Sequence, residues 1–149
     1  MADLRPILLV EDNPKDLELT LAALAKCQLA NEIVIARDGA EALDYLYSRG
    51  PYAERDQGDP AVVLLDLKLP KVDGLEVLEK VKSDTQRRQI PMVMLTSSRE
   101  ERDLVRSYEL GVNAFVVKPV DFNAFFEAIQ DLGMFWAILN EPPPGGRRG

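Results

Sequence analysis

Ala61-Val62-Val63-Leu64-Leu65-Asp66 decides the fold. Five consecutive apolar residues leave no face for water, so the run reads as a strand buried on both sides, the condition of a central strand in a parallel sheet. It ends on a carboxylate. Three more runs also end on reactive polar groups: Pro6-Ile7-Leu8-Leu9-Val10 on Glu11-Asp12, Pro91-Met92-Val93-Met94-Leu95 on Thr96, and Ala114-Phe115-Val116-Val117 on Lys118-Pro119. In a parallel α/β sheet these ends share one edge, where such folds bind ligands.

Between the strands the apolar spacing changes to that of helices. Asn13-Pro14 offers an N-cap with proline at the first helical position, and Leu17, Leu21, Leu24 and Gln28 follow at helical spacing, which predicts a first helix over 14–27. Glu32 to Ala36 is a second strand. Asp38-Gly39 caps a helix with Ala42, Leu43, Leu46 and Tyr47 on its buried side, and 48–60 follows as a long polar surface loop. A third helix is predicted over 74–82 with Leu75, Leu78 and Val81 inward. A fourth, over 99–110, is capped by Ser97-Ser98 and closed by Gly111, and a last one begins near Asp121.

Five βα units with short connections imply a five-stranded parallel sheet with helices on both faces, a flavodoxin-like doubly wound (βα)5 α/β fold. Strand order 2-1-3-4-5 sets the first and third strands side by side at the switch point, bringing Glu11-Asp12 next to Asp66. The organisation expected is one domain over 1–132 and an extension over 133–149. That extension holds an apolar Met134–Leu139 segment and a tail rich in Pro, Gly and Arg.

Composition narrows the function. The 149 residues suffice for one core and not for two ordinary domains. A net charge of -7 argues against nucleic acid as a partner, and the Arg147-Arg148 pair reads as a frayed tail. No apolar run approaches the ~18 residues needed to cross a bilayer, and Met1 to Arg5 lacks a signal-peptide layout, so the expectation is a cytoplasmic protein without membrane contact. The single Cys27 excludes an internal disulfide and reads as a buried or half-buried thiol. With no histidine in the chain, Ser-His-Asp catalysis and histidine metal sites are excluded, and any cation must be held by oxygen.

Three carboxylates held within ~4–6 Å raise each other's pKa unless a cation neutralises them, and Mg2+ suits such a set. An ionised Asp66 can then attack phosphorus to give an aspartyl phosphate. Lys118 supplies countercharge to the phosphoryl oxygens and the Thr96 hydroxyl a hydrogen bond. Proline at 119 admits a cis bond that would aim the lysine inward.

These residues resemble the receiver domain of two-component response regulators, of the stand-alone, chemotaxis-regulator-like kind. The resemblance covers about residues 6 to 132. It is carried by Val10-Glu11-Asp12-Asn13, Leu65-Asp66-Leu67-Lys68-Leu69-Pro70, Asp73-Gly74, Leu95-Thr96-Ser97, Gly111-Val112-Asn113-Ala114 and Val117-Lys118-Pro119. It implies that Asp66 accepts phosphate from a phosphohistidine on a separate histidine kinase. It also implies that Glu11, Asp12, Asp66 and the backbone carbonyl of Lys68 hold Mg2+. Thr96 and Phe115 would be the switch positions, remodelling the surface formed by the helix over 99–110, the fifth strand and the last helix.

The flanks resemble the small regulators paired with phytochrome-type light-sensing kinases, through Pro51-Tyr52 and Phe135 to Pro143. With no DNA-binding domain following the receiver, direct transcriptional output is not expected. Phe125, Ile129, Leu132, Trp136 and Leu139 form a heptad-like stripe interrupted by Gly133. The first turns suffice to cover the sheet, which leaves Met134, Phe135, Trp136, Ile138 and Leu139 as surplus apolar surface for a homodimer.

Two other classes compete with a non-enzymatic switch. A phosphatase of the haloacid dehalogenase type also uses a strand-end Asp and Mg2+, but would place an acid where this chain has Lys68. A flavodoxin-like cofactor binder would need a phosphate-cradling loop after the first strand, and the acidic pocket would repel a flavin phosphate.

Overall fold

A computed structural model of the chain describes residues 5–27, 29, 31–55, 58–98 and 109–132. Strands β1 (Ile7–Val10), β2 (Ile33–Ala36), β3 (Val62–Asp66), β4 (Met92–Thr96) and β5 (Ala114–Val117) form one parallel sheet in the order β2-β1-β3-β4-β5, as expected. Helices α1 (Pro14–Lys26), α2 (Gly39–Leu46), α3 (Gly74–Lys82) and α4 (Phe122–Asp131) cover it. Most of the helix expected over 99–110, and all of the Met134 to Leu139 segment, lie outside the described residues.

Alternation along the strands sorts the core into two layers. Leu8, Val10, Val63, Leu65, Met92 and Met94 pack with Leu43, Leu46, Leu75, Leu78 and Val81 of α2 and α3. Ile7, Leu9, Val62, Leu64, Val93 and Leu95 face the other way, against Leu17 and Leu24 of α1 and Phe125 and Ile129 of α4. Because both layers are apolar, the three central strands had to be apolar at every position.

Each helix starts where a side chain satisfies its free N–H groups. Asn13 accepts from the Asp16 N–H, Asp38 from that of Glu41, and Asp121 from that of Ala124. Asp73 and Glu76 form a reciprocal capping box around α3. Cys27 caps the end of α1, half-buried, with its thiol pushed up by burial.

On α2 the fully buried aromatic is Tyr45; Tyr47, expected on the buried side, packs against the same core layer but is only half-buried, at the C-cap. The connection after α2 is the cause. It turns through a short 3-10 helix, Gly50–Tyr52, setting the Tyr52 ring edge-on to Tyr45 at 5.1 Å. The Arg55 guanidinium lies 4.0 Å from the Tyr45 ring centroid. So the described part of the 48–60 loop is a packed cover for α2.

Candidate functional site

Strand register builds the pocket. Val10 sits beside Leu65, so the next residues, Glu11 and Asp66, meet across the β1–β3 boundary. The Glu11 N–H donates to the Ala36 carbonyl at 3.0 Å, which carries the ladder one residue past the strand and fixes the buried side chain. Oxygens of Glu11, Asp12 and Asp66 all lie within 4.8 Å of one another, with Asp12 exposed at the mouth. The three acids named from the sequence therefore form one cluster.

The other two groups arrive by the same stepping. Asp66 pairs with Leu95, placing Thr96 one step beyond, and Thr96 pairs with Val117, placing Lys118 one step further. Thr96 is 0% exposed and its Oγ1 has no hydrogen-bond partner among the described residues. Leaving a buried hydroxyl unpaired costs about 1–3 kcal/mol, a cost that a polar group entering the pocket would remove. The Lys118–Pro119 bond is cis.

Lys118 Nζ lies 3.2 Å from Asp66 Oδ1 and 3.4 Å from Glu11 Oε1. Its shortest contact, 2.9 Å, is to Asp16 Oδ2, on the first turn of α1. Asp16 was not among the residues singled out from the sequence. The only signal it offers there is an acid in the first turn of a helix, which is commonplace. Lys68 is exposed, and its backbone N–H bonds the Asp66 carboxylate. Phe115 is half-buried against the α2 and α3 layer.

Burial governs the charges. It pushes Glu11 up to about 7, helped by its hydrogen bond to Asp66 and by the Asp66 charge, while Lys118 and the Asn13 N–H act against it. Burial raises Asp66 too, opposed by its bond to Glu11 and by Lys118. The two carboxyls are thus both harder to ionise than free ones, Glu11 above all. Burial alone would lower Lys118, but the bond to Asp16 and the Asp66 and Glu11 charges outweigh it and raise the ammonium. Three carboxylates, two of them pushed up by burial, with no nitrogen ligand, make a donor set suited to a hard divalent cation.

The close approach of α3 to the pocket depends on one residue. A Cβ on Gly74 would run into the carbonyl oxygens of Asp66 and Leu67, so only glycine lets the helix start there.

A doubly wound parallel sheet with an acidic, lysine-bridged pocket at the carboxyl edge of β1, β3, β4 and β5 defines the class. Residues 7–130 match the model of the response regulator receiver domain, and the chain belongs to that family. It is similar to the bacteriophytochrome response regulator AtBRR, 78% identical, covering 94% of this chain and 100% of that one, with a TM-score of 0.86. Response regulator Rcp1 of Synechocystis sp. is 39% identical over 87% of each chain. The structure of its Mn(2+)-bound form aligns over 89% of this chain and 94% of that one, at 38% identity and a TM-score of 0.73. The phosphorylated cyanobacterial phytochrome response regulator RcpA is 41% identical over 90% of this chain and 94% of its own, with a TM-score of 0.74.

Receivers of this size are signalling proteins rather than enzymes, and the family match supports the receiver reading rather than the phosphatase one. No helix among the described residues is long and apolar enough to cross a membrane.

Proposed function

We propose that the chain is a cytoplasmic phosphoryl acceptor that relays a signal from a phytochrome-type histidine kinase. Asp66 is the acceptor. Its carboxylate oxygen attacks the phosphorus of a kinase phosphohistidine, the N–P bond breaks, and the imidazole leaves as the aspartyl phosphate forms. Glu11, Asp12, Asp66 and the Lys68 carbonyl would hold Mg2+, which when bound supplies positive charge to the phosphoryl oxygens and keeps the acids ionised. Lys118 donates to a phosphoryl oxygen, and the Thr96 hydroxyl turns to another. Drawing Thr96 inward opens space for the Phe115 ring, and the altered surface is the output.

The observation that carries this reading is the Lys118 ammonium 3.2 Å from a buried Asp66 carboxylate. An oxygen that must stay reactive is thus held beside the countercharge its product needs. The orphaned Thr96 hydroxyl at the adjacent strand end supports the same reading. The Mn(2+)-bound form of Rcp1 and the phosphorylated form of RcpA support a cation and a phosphoryl group as the occupants. The light-signalling link rests on the names of the similar regulators.

Incubation with acetyl phosphate and Mg2+, followed by intact-mass analysis, tests the acceptor. Wild type should gain one phosphoryl group and Asp66→Asn none; equal labelling of the two refutes the assignment. Phosphotransfer from the histidine kinases of the same source tests the partner. Transfer from other kinases, with none from a phytochrome-type one, refutes the light link.

A further inference from the structure

We propose that Asp16 is a positioning residue that restrains Lys118 and thereby slows phosphorylation of Asp66. This inference rests on Asp66 being the acceptor. An ammonium has three N–H donors and no acceptor. Lys118 has three carboxylates in reach, Asp16 at 2.9 Å, Asp66 at 3.2 Å and Glu11 at 3.4 Å, and is only 13% exposed. Two of its donors are hydrogen-bonded, to Asp16 and Glu11, and it is ion-paired with Asp66, before any phosphoryl group arrives.

A phosphoryl group forming on Asp66 needs one of those donors. Asp66 and Glu11 belong to the acidic cluster, whereas Asp16 lies outside it, on the first turn of α1, 30% exposed. The Asp16 backbone N–H is held by the Asn13 cap at 3.0 Å, so its carboxylate is carried by a fixed helix start. Asp16 draws the ammonium toward α1 and competes for it with the incoming oxygens. It also adds a negative charge beside the path of an anionic donor.

Removing that charge while keeping the shape frees the lysine. With acetyl phosphate at saturating Mg2+, Asp16→Asn should be phosphorylated roughly threefold faster than wild type, the size of effect a partly exposed ion pair supports. Glu18→Gln removes the same charge from an exposed position on the same helix and should leave the rate at the wild-type value. Equal or slower phosphorylation of Asp16→Asn, or an equal acceleration by Glu18→Gln, overturns the proposal.

A second readout needs neither metal nor phosphoryl donor. The Lys118 ammonium 1H–15N signal should be observable in the metal-free wild type, slowed in exchange by its three partners, and should broaden or shift in Asp16→Asn. An unchanged signal overturns the proposal as well. If neither protein takes up a phosphoryl group, the acceptor reading fails, and the ammonium signal alone then decides whether Asp16 holds Lys118.

Discussion

The Lys118 backbone N–H donates to the Thr96 carbonyl at 2.7 Å, so the ammonium and the hydroxyl are carried on one shared rung at the β4–β5 edge. In the proposed switch, a displacement of either residue would be transmitted to the other through that rung. The proposed switch needs this coupling, because the group that meets the phosphoryl charge must move with the one that signals its arrival.

Lys118→Ala should therefore keep the cation site and lose the response. The cluster oxygens of Glu11, Asp12 and Asp66 do not depend on the lysine for their backbone anchors. Metal binding, followed by calorimetry, should persist. The phosphorylation-dependent change at β5 and α4, followed by amide NMR shifts with and without acetyl phosphate, should vanish. Undiminished shifts would remove Lys118 from the mechanism.

The raised value of Glu11 gives the metal-free chain an unusual pH dependence. Its ordinary value of 4.5 applies to the unfolded chain and the folded value is about 7, so the folded chain binds the proton more tightly. The stability from this group is complete below the unfolded value and is lost as pH rises through the folded one. Burial raises Asp66 in the same direction. In chelator, the unfolding free energy from urea titration should fall as pH rises from about 5 to about 8, by an amount on the order of 2 kcal/mol, and the midpoint with it. Mg2+ binds only the folded chain and should reverse the loss. Glu11→Gln, which cannot ionise, should flatten the profile; a wild-type midpoint that rises over this range would contradict the assignment.

Gly74→Ala tests how closely α3 is keyed to the acceptor strand. Alanine is the better helix former, but the added Cβ meets the backbone carbonyls of Asp66 and Leu67, which cannot turn aside as a side chain can. The clash should prevail, with a loss of about 1–3 kcal/mol in urea unfolding. Gly58→Ala, whose Cβ would meet nothing within 4 Å, should fall within about 0.5 kcal/mol of wild type. A neutral Gly74→Ala would mean that α3 can back away from Asp66 freely.

The strands, their order and the cluster were legible because each rests on a local rule with a long-range consequence. Runs apolar at every position belong in a parallel sheet covered on both faces, and parallel register then aligns their carboxyl ends, so Glu11, Asp66, Thr96 and Lys118 follow from where each run stops. What escaped depends on contacts without periodicity. Tyr45 joins the core beside Tyr47 because Arg55 and Tyr52 fold back onto it, and a polar loop gives no sign of where it will pack. Asp16 escaped for a related reason. An acid at a helix start is ordinary until the fold brings Lys118, 102 residues away, to within 2.9 Å.

An apolar stripe begins in α4. Phe125 and Ile129 are almost wholly buried in the layer shared with α1, and Leu132 packs against it, so the described part of the stripe is already used by the sheet. On the same helix, Phe122 is 36% exposed and stacks on Phe126 at 5.6 Å. Trp136 and Leu139 continue the spacing after these positions are spent, and Met134, Phe135 and Ile138 add apolar residues beside them. If these residues form apolar surface, a partner is expected to cover it, and a second copy carries the same sequence stripe. Sedimentation at roughly tens of micromolar chain should show dimers, whose fraction falls with dilution. A Trp136→Ala, Leu139→Ala double variant should shift the distribution to monomers while leaving Asp66 phosphorylation by acetyl phosphate intact. Wild-type monomers at that concentration, with and without the phosphoryl donor, would exclude the homodimer.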